Sequence, residues 1–327
     1  AARHLCLFSG VGGTADGFLA VNGDPRGDCI TAVDQDPESM ALFAERFPGA
    51  HCIVADVNDT AWWGDVVTQS PQTVTASCPC QPFSGAGLQR GASDHRAAGW
   101  VGTMQLIDLI RPSYVFMENV PGITKVDGGA VARVAMAGLR AMGYVVVERM
   151  DNAADITPVD RARWVILAVR GDLAIRGAAS LLGEPMPKCR QLSLRRCLDV
   201  DDSGAQAQQA VWTPQALEAY MDRGRKPRGG CPRILGAAPL MPTILTTYGR
   251  SYEGAFHNNV IYGFGIRAWV NGSEVIRHLT PREIALASGF ADARDEVWEG
   301  ACATLWPRLG DAVPPPVAAW GAILLRA

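Results

Sequence analysis

Residues 4–18, HLCLFSGVGGTADGF, decide the fold. A short apolar run from His4 to Phe8 meets glycines at 10, 12, 13 and 17, and the chain then opens into residues that suit a helix. This order predicts a buried strand feeding an α-helix, the start of a βαβ unit. Glycines let a backbone turn tightly and come close to a ligand, and a helix N-terminus favours polar or anionic groups. Such loops serve several nucleotide-type cofactors and sometimes only pack, so this one fixes an architecture and not a ligand.

The alternation continues downstream. CITAVD (29–34), CIVAD (52–56), TVTASC (73–78), SYVFMENV (113–120), YVVVERM (144–150) and RWVILAVR (163–170) read as strands, and PESMALFAERF (37–47), GTMQLIDLI (102–110) and GAVARVAMAGLRAMG (129–143) as helices. The apolar runs are too continuous for strands with one wet face, which predicts an α/β fold with a doubly wound, mostly parallel sheet covered on both sides. After about Arg170 the chain turns to short pieces rich in Gly, Pro and Arg, with a helix expected at TPQALEAYMDR (213–223). In TPREIALASGF (280–290) Thr280 can cap a helix, Pro281 takes its first position and Glu283 completes a capping box. The final stretch, 310–327, ends in an apolar helix expected to fold back onto the first domain.

With 327 residues and 48% hydrophobic content, the chain can bury a large core. It has no unbroken apolar run of roughly 18 residues, and its first residues enter a strand without a charged leader; a cytoplasmic protein with no membrane contact is expected. Nine cysteines, an odd number without regular spacing, suit a reducing compartment. Cys78-Pro79-Cys80 is not a C-x-x-C and has no His or second Cys pair nearby, so no metal is expected. The net charge of −3 points to no anionic partner, but Met186 to Arg250 carries ten Lys/Arg against five acids. Its densest part, RGRKPRGGCPR (223–233), suits a loop that follows a phosphate backbone.

Asp34 ends the second predicted strand, where a carboxylate can accept ribose hydroxyls, and Asp56 ends the third, within reach of an adenine amino group. Together with the glycine loop they describe a nucleoside pocket without saying which nucleoside. Cys80 follows one predicted parallel strand and Glu118 stands at the carboxyl end of another, which delivers both to the same sheet edge. A thiol there can attack an electrophilic carbon while the carboxyl hydrogen-bonds or protonates an adjacent ring nitrogen. Roughly 3% of an ordinary thiol is thiolate at pH 7 and about one glutamate in 500 is protonated, so the fold must assist both.

FSGVGGTADGF (8–18), PCQPFS (79–84), ENV (118–120), RARWVILAV (161–169), HLTPREIALASGF (278–290) and GDAVPPPVA (310–318) follow the order and approximate spacing of the DNA (cytosine-5) methyltransferases. The resemblance spans nearly the whole chain except its Arg/Gly-rich middle. It implies a Rossmann-like class I methyltransferase domain over 1–170 plus 276–327 and a smaller, irregular target recognition domain over 171–275. By resemblance, Cys80 adds to C6 of a cytosine flipped from duplex DNA, Glu118 contacts N3, and C5 takes the methyl of S-adenosyl-L-methionine, leaving S-adenosyl-L-homocysteine. Loss of the C5 proton and elimination of Cys80 complete the cycle.

The resemblance makes Phe8, Gly10, Gly12, Gly13, Asp34, Asp56, Pro79 and Asp311 cofactor residues. Arg161 and Arg163 match a Gln-x-Arg-x-Arg element whose second arginine reaches the target base, with Val159 at the glutamine position; Asp311 stands where Asn is commoner. DNA contacts are expected from Gln81, Ser84 and Arg90 around the nucleophile and from Arg225, Arg228 and Arg233 of the basic loop. Others are expected from Thr246, Tyr248 and Gly249 in MPTILTTYGRSYEG (241–254), where Thr243, Thr246 and Thr247 are all candidates for the flipped nucleotide. SGAGLQRGASDHRAAGW (84–100) has the composition of a lid. A monomer, with a cognate restriction endonuclease as a possible partner, completes the expectation. The alternatives are a tRNA cytosine-5 methyltransferase, a silent DNA-binding regulator, which would lose Cys80 or Glu118, and a nicotinamide oxidoreductase, which has no need of that pair.

Overall fold

In chain order the elements are β1 (His4–Leu7), α1 (Gly13–Asn22), β2 (Ile30–Asp34), α2 (Pro37–Arg46), β3 (His51–Val54), α3 (Trp63–Gln69), β4 (Thr73–Ala76), α4 (Ala98–Ile110), β5 (Tyr114–Asn119), α5 (Ala130–Ala141), β6 (Tyr144–Asn152), β7 (Val159–Asp160) and β8 (Ala162–Arg170). They continue with α6 (Ala178–Leu182), α7 (Ala205–Gln209), β9 (Arg233–Ile234), β10 (Met241–Pro242), β11 (Phe264–Val270), β12 (Ser273–Arg277), α8 (Pro281–Ser288), α9 (Cys302–Asp311) and α10 (Pro315–Arg326). This computed structural model describes residues 3–24, 26–80, 83, 98–189, 193–199, 202–212, 214, 217, 233–235, 240–244, 248, 264–293 and 295–326. The helix expected at 213–223 and the basic loop lie almost wholly outside them.

Chain contacts divide into two compact units, Ala1–Asp155 with Ala162–Lys188 and Val313–Ala327, and Ile156–Arg161 with Cys189–Ala312. The first holds a seven-stranded sheet in the order β3-β2-β1-β4-β5-β8-β6. Strands β1 to β5 run parallel, whereas β8 lies antiparallel to both β5 and β6. The mostly parallel sheet is as expected; the reversed strand arises because the chain leaving β6 returns through residues 153–161 and pairs back along it as β8. β1 and β4 are buried along their whole length, which is why their sequences show no polar alternation.

Helix α10 packs on α1 and on the sheet through Phe18, Phe116, Leu167, Ala318 and Ala322, so the expected return of the C-terminal helix is observed. The approach is close enough that a Cβ on Gly13 would strike the Val313 carbonyl and one on Gly17 the Pro315 carbonyl. Two of the four loop and helix glycines are therefore required by this helix pair.

In the second unit β7 pairs parallel with β10, and β9, β11 and β12 form a small sheet. The capping box of α8 is present: Thr280 Oγ1 accepts from Glu283 N–H (3.2 Å) and Glu283 Oε2 accepts from Thr280 N–H (2.8 Å). Packing differs from the expected functional division at three places: 156–161 and 276–312 join the second unit, and 171–188 join the first. The β11–β12 hairpin and the rings of Tyr248, His278 and Trp306, with centroids 4.8 to 5.6 Å apart, bind 276–312 to the rest of that unit. No described helix is long and apolar enough to cross a membrane.

Candidate active site

Strand β4 ends at Ala76, paired with Met117, so the turn Ser77-Cys78-Pro79-Cys80 leaves the sheet beside Glu118 and Asn119. Asn119 Nδ2 donates to the Cys78 carbonyl (2.9 Å) while its Oδ1 accepts from Val120 N–H (2.9 Å), tying the turn to β5. On the other side of the nucleophile candidate, Phe83 N–H donates to the Cys80 carbonyl (2.9 Å). The carbonyl of buried Phe83 lies where a Cβ on Gly122 would be, so glycine is required there. The two cysteines differ in environment: Cys78 is buried beside Thr103, and burial pushes its thiol up to about 12, whereas Cys80 is partly exposed.

Glu118 and Arg163 form an ion pair of 2.5 Å between side chains only 7% and 8% exposed. The antiparallel register of β5 and β8 sets Glu118 opposite Val165, and Arg163, two residues along, projects on the same face. Arg163 also donates to the Ala162 carbonyl (2.8 Å). Between them Trp164 turns to the opposite face and donates to Glu148 (2.9 Å).

The glycine loop is held from several directions. Ser9 N–H donates to the Val33 carbonyl (3.1 Å), Gly12 N–H to the Ser9 carbonyl (2.8 Å), and Gly10 N–H to Asp34 Oδ2 (2.8 Å). Asp34 Oδ1 accepts from Asp36 N–H (2.9 Å), and burial raises the Asp34 carboxyl above its ordinary value. Phe8 has φ +53°, a left-handed conformation that costs a non-glycine residue about 1–3 kcal/mol and recurs at ligand clamps. Its ring lies over Gly99 at the start of α4, with Pro79 alongside. Gly10 has no described atom within 4 Å of where a Cβ would stand, while Gly12 faces the rings of Phe43 and Phe47. Of the predicted cofactor glycines, then, Gly10 borders open space, and Gly12 and Gly13 are explained by packing.

Asp56 lies two residues beyond β3, not at its end; it is exposed and accepts from Asn58 N–H (2.8 Å) and Nδ2 (2.9 Å). Trp62 and Trp63 donate to the carbonyls of Asp56 (3.0 Å) and Val57 (3.1 Å), which fixes this segment. The two matched arginines have different described partners. Arg163 meets Glu118, whereas buried Arg161 belongs to the second unit and donates to the carbonyls of Ile244 (3.3 Å) and Gly310 (2.8 Å). Val159 is buried in β7, and Asp311 ends α9, exposed, in the second unit.

Tyr248 needs a correction. Its side chain is 2% exposed, its hydroxyl donates to the Phe264 carbonyl (3.0 Å) and accepts from Leu279 N–H (3.0 Å), so it anchors the second unit's core and offers no side-chain surface to DNA. Thr243 Oγ1 donates to the Asp160 carbonyl (2.6 Å). Arg233 lies in β9, where its backbone pairs with Phe264, but its side chain is outside the described residues. Gln81, Ser84, Arg90, Arg225, Arg228, Thr246, Thr247 and Gly249 also lie outside them, as do residues 84–97 of the expected lid.

Two contributors were missed. In the sequence Asn119 stands only within the Glu-Asn-Val motif, and Arg46 only within the helical stretch 37–47. Arg46 falls on the buried stripe of Met40 and Phe43 in α2, next to the capping Phe47, and a cation on a buried stripe is the available signal.

The arrangement is a glycine loop and a thiol–carboxylate edge on one mostly parallel sheet. The chain matches the C-5 cytosine-specific DNA methylase family over residues 3–322 and belongs to it. It is 25% identical to the DNA-cytosine methyltransferase of Escherichia coli K12 over 89% of this chain and 70% of that one. It is also 26% identical to the type II methyltransferase M.NaeI of Lentzea aerocolonigenes, over 95% and 71%. In fold it resembles Spodoptera frugiperda DNMT2, with a TM-score of 0.74 at 17% identity over 100% of both chains. Entamoeba histolytica methyltransferase EhMeth gives 0.71 at 17% identity, covering 99% of this chain and 97% of that one. The protein is thus a methyltransferase of the C-5 cytosine family.

Proposed function

We propose that this protein methylates C5 of cytosine in duplex DNA, with Cys80 as nucleophile, Glu118 at N3 of the base and Arg163 holding Glu118. The observation that carries this reading is the buried Glu118–Arg163 pair at the sheet edge where the Cys80 turn emerges, tied to β5 by Asn119. The Cys80 thiolate adds to C6, Glu118 stabilises the adduct at N3, and the electron pair moves to C5. S-adenosyl-L-methionine supplies the methyl group that C5 accepts. The C5 proton then leaves, the C6–S bond breaks, and Cys80 is restored.

Residues present in the chain fit that cofactor. Gly10 borders open space, Asp34 stands at the end of β2 with its carboxylate oriented by two N–H groups, and the N-terminus of α1 follows the loop. Phe8, Asp56 and Pro79 complete the proposed pocket, and Asp311 is proposed as a further cofactor residue. Because C5 and C6 are inaccessible inside a duplex, the reading includes extrusion of the base at a cost of a few kcal/mol. It extends to a cytoplasmic monomer, to DNA contacts by Gln81, Ser84, Arg90, Arg225, Arg228 and Arg233, and to a restriction endonuclease acting on the same site. The names of type II relatives support the last point.

The test is transfer of labelled methyl from S-adenosyl-L-methionine to duplex DNA and, in parallel, to tRNA. Label in the DNA, mapped to cytosines by bisulfite sequencing, is expected. Label only in tRNA would reverse the substrate, and label in neither would leave a binding protein on the same scaffold.

A further inference from the structure

Arg46 stands at the end of α2, thirty residues from Asp16 and 35 from Val11 in sequence, yet its guanidinium reaches both. Its side chain is 1% exposed. Nη1 donates to the Val11 carbonyl inside the glycine loop, and Nη2 donates to Asp16 Oδ2 in the first turn of α1 (3.0 Å). The Phe47 ring lies 4.8 Å from the guanidinium carbon and the Phe43 ring 4.8 Å from that of Phe47. Both rings fill the space that a Cβ on Gly12 would need. One arginine therefore spans the loop and the helix that follows it, while the aromatic pair beneath it supports Gly12.

Among the described residues the loop is also held by Asp34 at Gly10, by Val33 at Ser9, by Met40, whose sulfur accepts from Ser9 Oγ (3.3 Å), and by its own Gly12 N–H to Ser9 carbonyl bond. Arg46 alone among the described contacts fixes the Val11 carbonyl, and a peptide plane held at its C=O has its next N–H, that of Gly12, fixed as well. We infer that Arg46 is a positioning residue for the cofactor: through Val11 and Asp16 it holds the glycine loop in the shape that binds S-adenosyl-L-methionine. This rests on the proposed cofactor reading and adds to it a residue that does not touch the ligand.

Removing Arg46 alone would leave the Asp16 carboxylate buried without its partner and could unfold the chain. The paired variant Arg46→Met with Asp16→Leu removes both charges, which commonly preserves stability, but leaves the Val11 carbonyl unheld. Arg46→Lys keeps the charge and loses the two-pronged reach. The experiment is calorimetric titration of the whole chain and both variants with S-adenosylhomocysteine, alongside melting temperatures and binding of duplex DNA. The expected result is a dissociation constant raised about tenfold in the paired variant and by a smaller factor in Arg46→Lys, with DNA binding unchanged. Turnover at saturating S-adenosyl-L-methionine should return close to that of the parent. A paired variant that melts like the parent and binds S-adenosylhomocysteine equally well would overturn the inference and leave a pair that only stabilises. A parent chain that binds NAD and not S-adenosylhomocysteine would instead remove the cofactor reading, and the inference with it.

Discussion

Each unit of the chain buries an arginine–glutamate pair, and the two pairs are used differently. In the second unit Glu283 accepts from both terminal nitrogens of Arg277 (2.7 and 2.8 Å) and from the N–H groups of Asp199 and Thr280 (both 2.8 Å). Arg277 donates further to the carbonyls of Asp199 (2.6 Å) and His278 (2.9 Å). That pair closes a helix start and staples three segments. In the first unit Glu118 and Arg163 join two antiparallel strands at the edge where the Cys80 turn leaves the sheet. Burial is common to both, so burial does not mark the site; attachment does, a capping box in one case and a thiol-bearing turn in the other.

The largest effect should separate them by chemistry. Glu118→Gln is expected to lower the methyl-transfer rate by about 10²- to 10⁴-fold at saturating DNA and cofactor, with a modest change in melting temperature. A wild-type rate would place this pair in the same structural role as Arg277–Glu283. Conversely, Glu283→Gln should cost about 3–5 kcal/mol in denaturant unfolding while the rate per folded molecule is retained. Loss of rate without loss of stability would break the comparison from the other side.

A buried histidine in each unit sharpens it by pH. Burial pushes His4 down to about 3 and His278 to about 4, so both are neutral in the fold, whereas an unfolded chain protonates them near 6.5. Below that pH the unfolded state binds more protons. The stability they contribute is therefore full above about 6.5 and is lost as pH falls toward 4 and then 3, at roughly 1.4 kcal/mol per pH unit for each. Denaturation midpoints at pH 7.5 and 5 should differ in that sense, and equal midpoints would contradict the burial of both rings. The smallest expected effect is at glycine: Gly64→Ala in α3, with no described neighbour within 4 Å of its added Cβ, should stabilise by about 0.5–1 kcal/mol. Gly17→Ala, meeting the Pro315 carbonyl, should destabilise, as chemical denaturation of both variants would measure.

What could be read from the sequence was whatever repeats locally. The strands of the sheet, the α8 capping box and the arrival of Cys80 and Glu118 at one edge all follow from periodicity and strand direction. The two-residue strands β7 and β10 have no period to detect, and the antiparallel run of β8 depends on a pairing choice that apolar content does not encode. The family resemblance makes Tyr248 a DNA contact, yet its burial is decided by Phe264, His278 and Trp306. Arg46 and Asn119 act through hydrogen bonds 30 to 41 residues away in sequence, a distance at which composition carries no direction.

The central claim is that Cys80 alone forms the bond to the base, and it is tested most directly with duplex DNA carrying 5-fluorocytosine at the target. Fluorine at C5 leaves no proton to lose, so elimination stops and the enzyme stays attached. With S-adenosyl-L-methionine present, the protein should form a covalent complex that survives denaturing electrophoresis, that Cys80→Ala abolishes and that Cys78→Ser retains. A parent protein that methylates the ordinary duplex but forms no such complex, or a complex that persists in Cys80→Ala, would contradict the account.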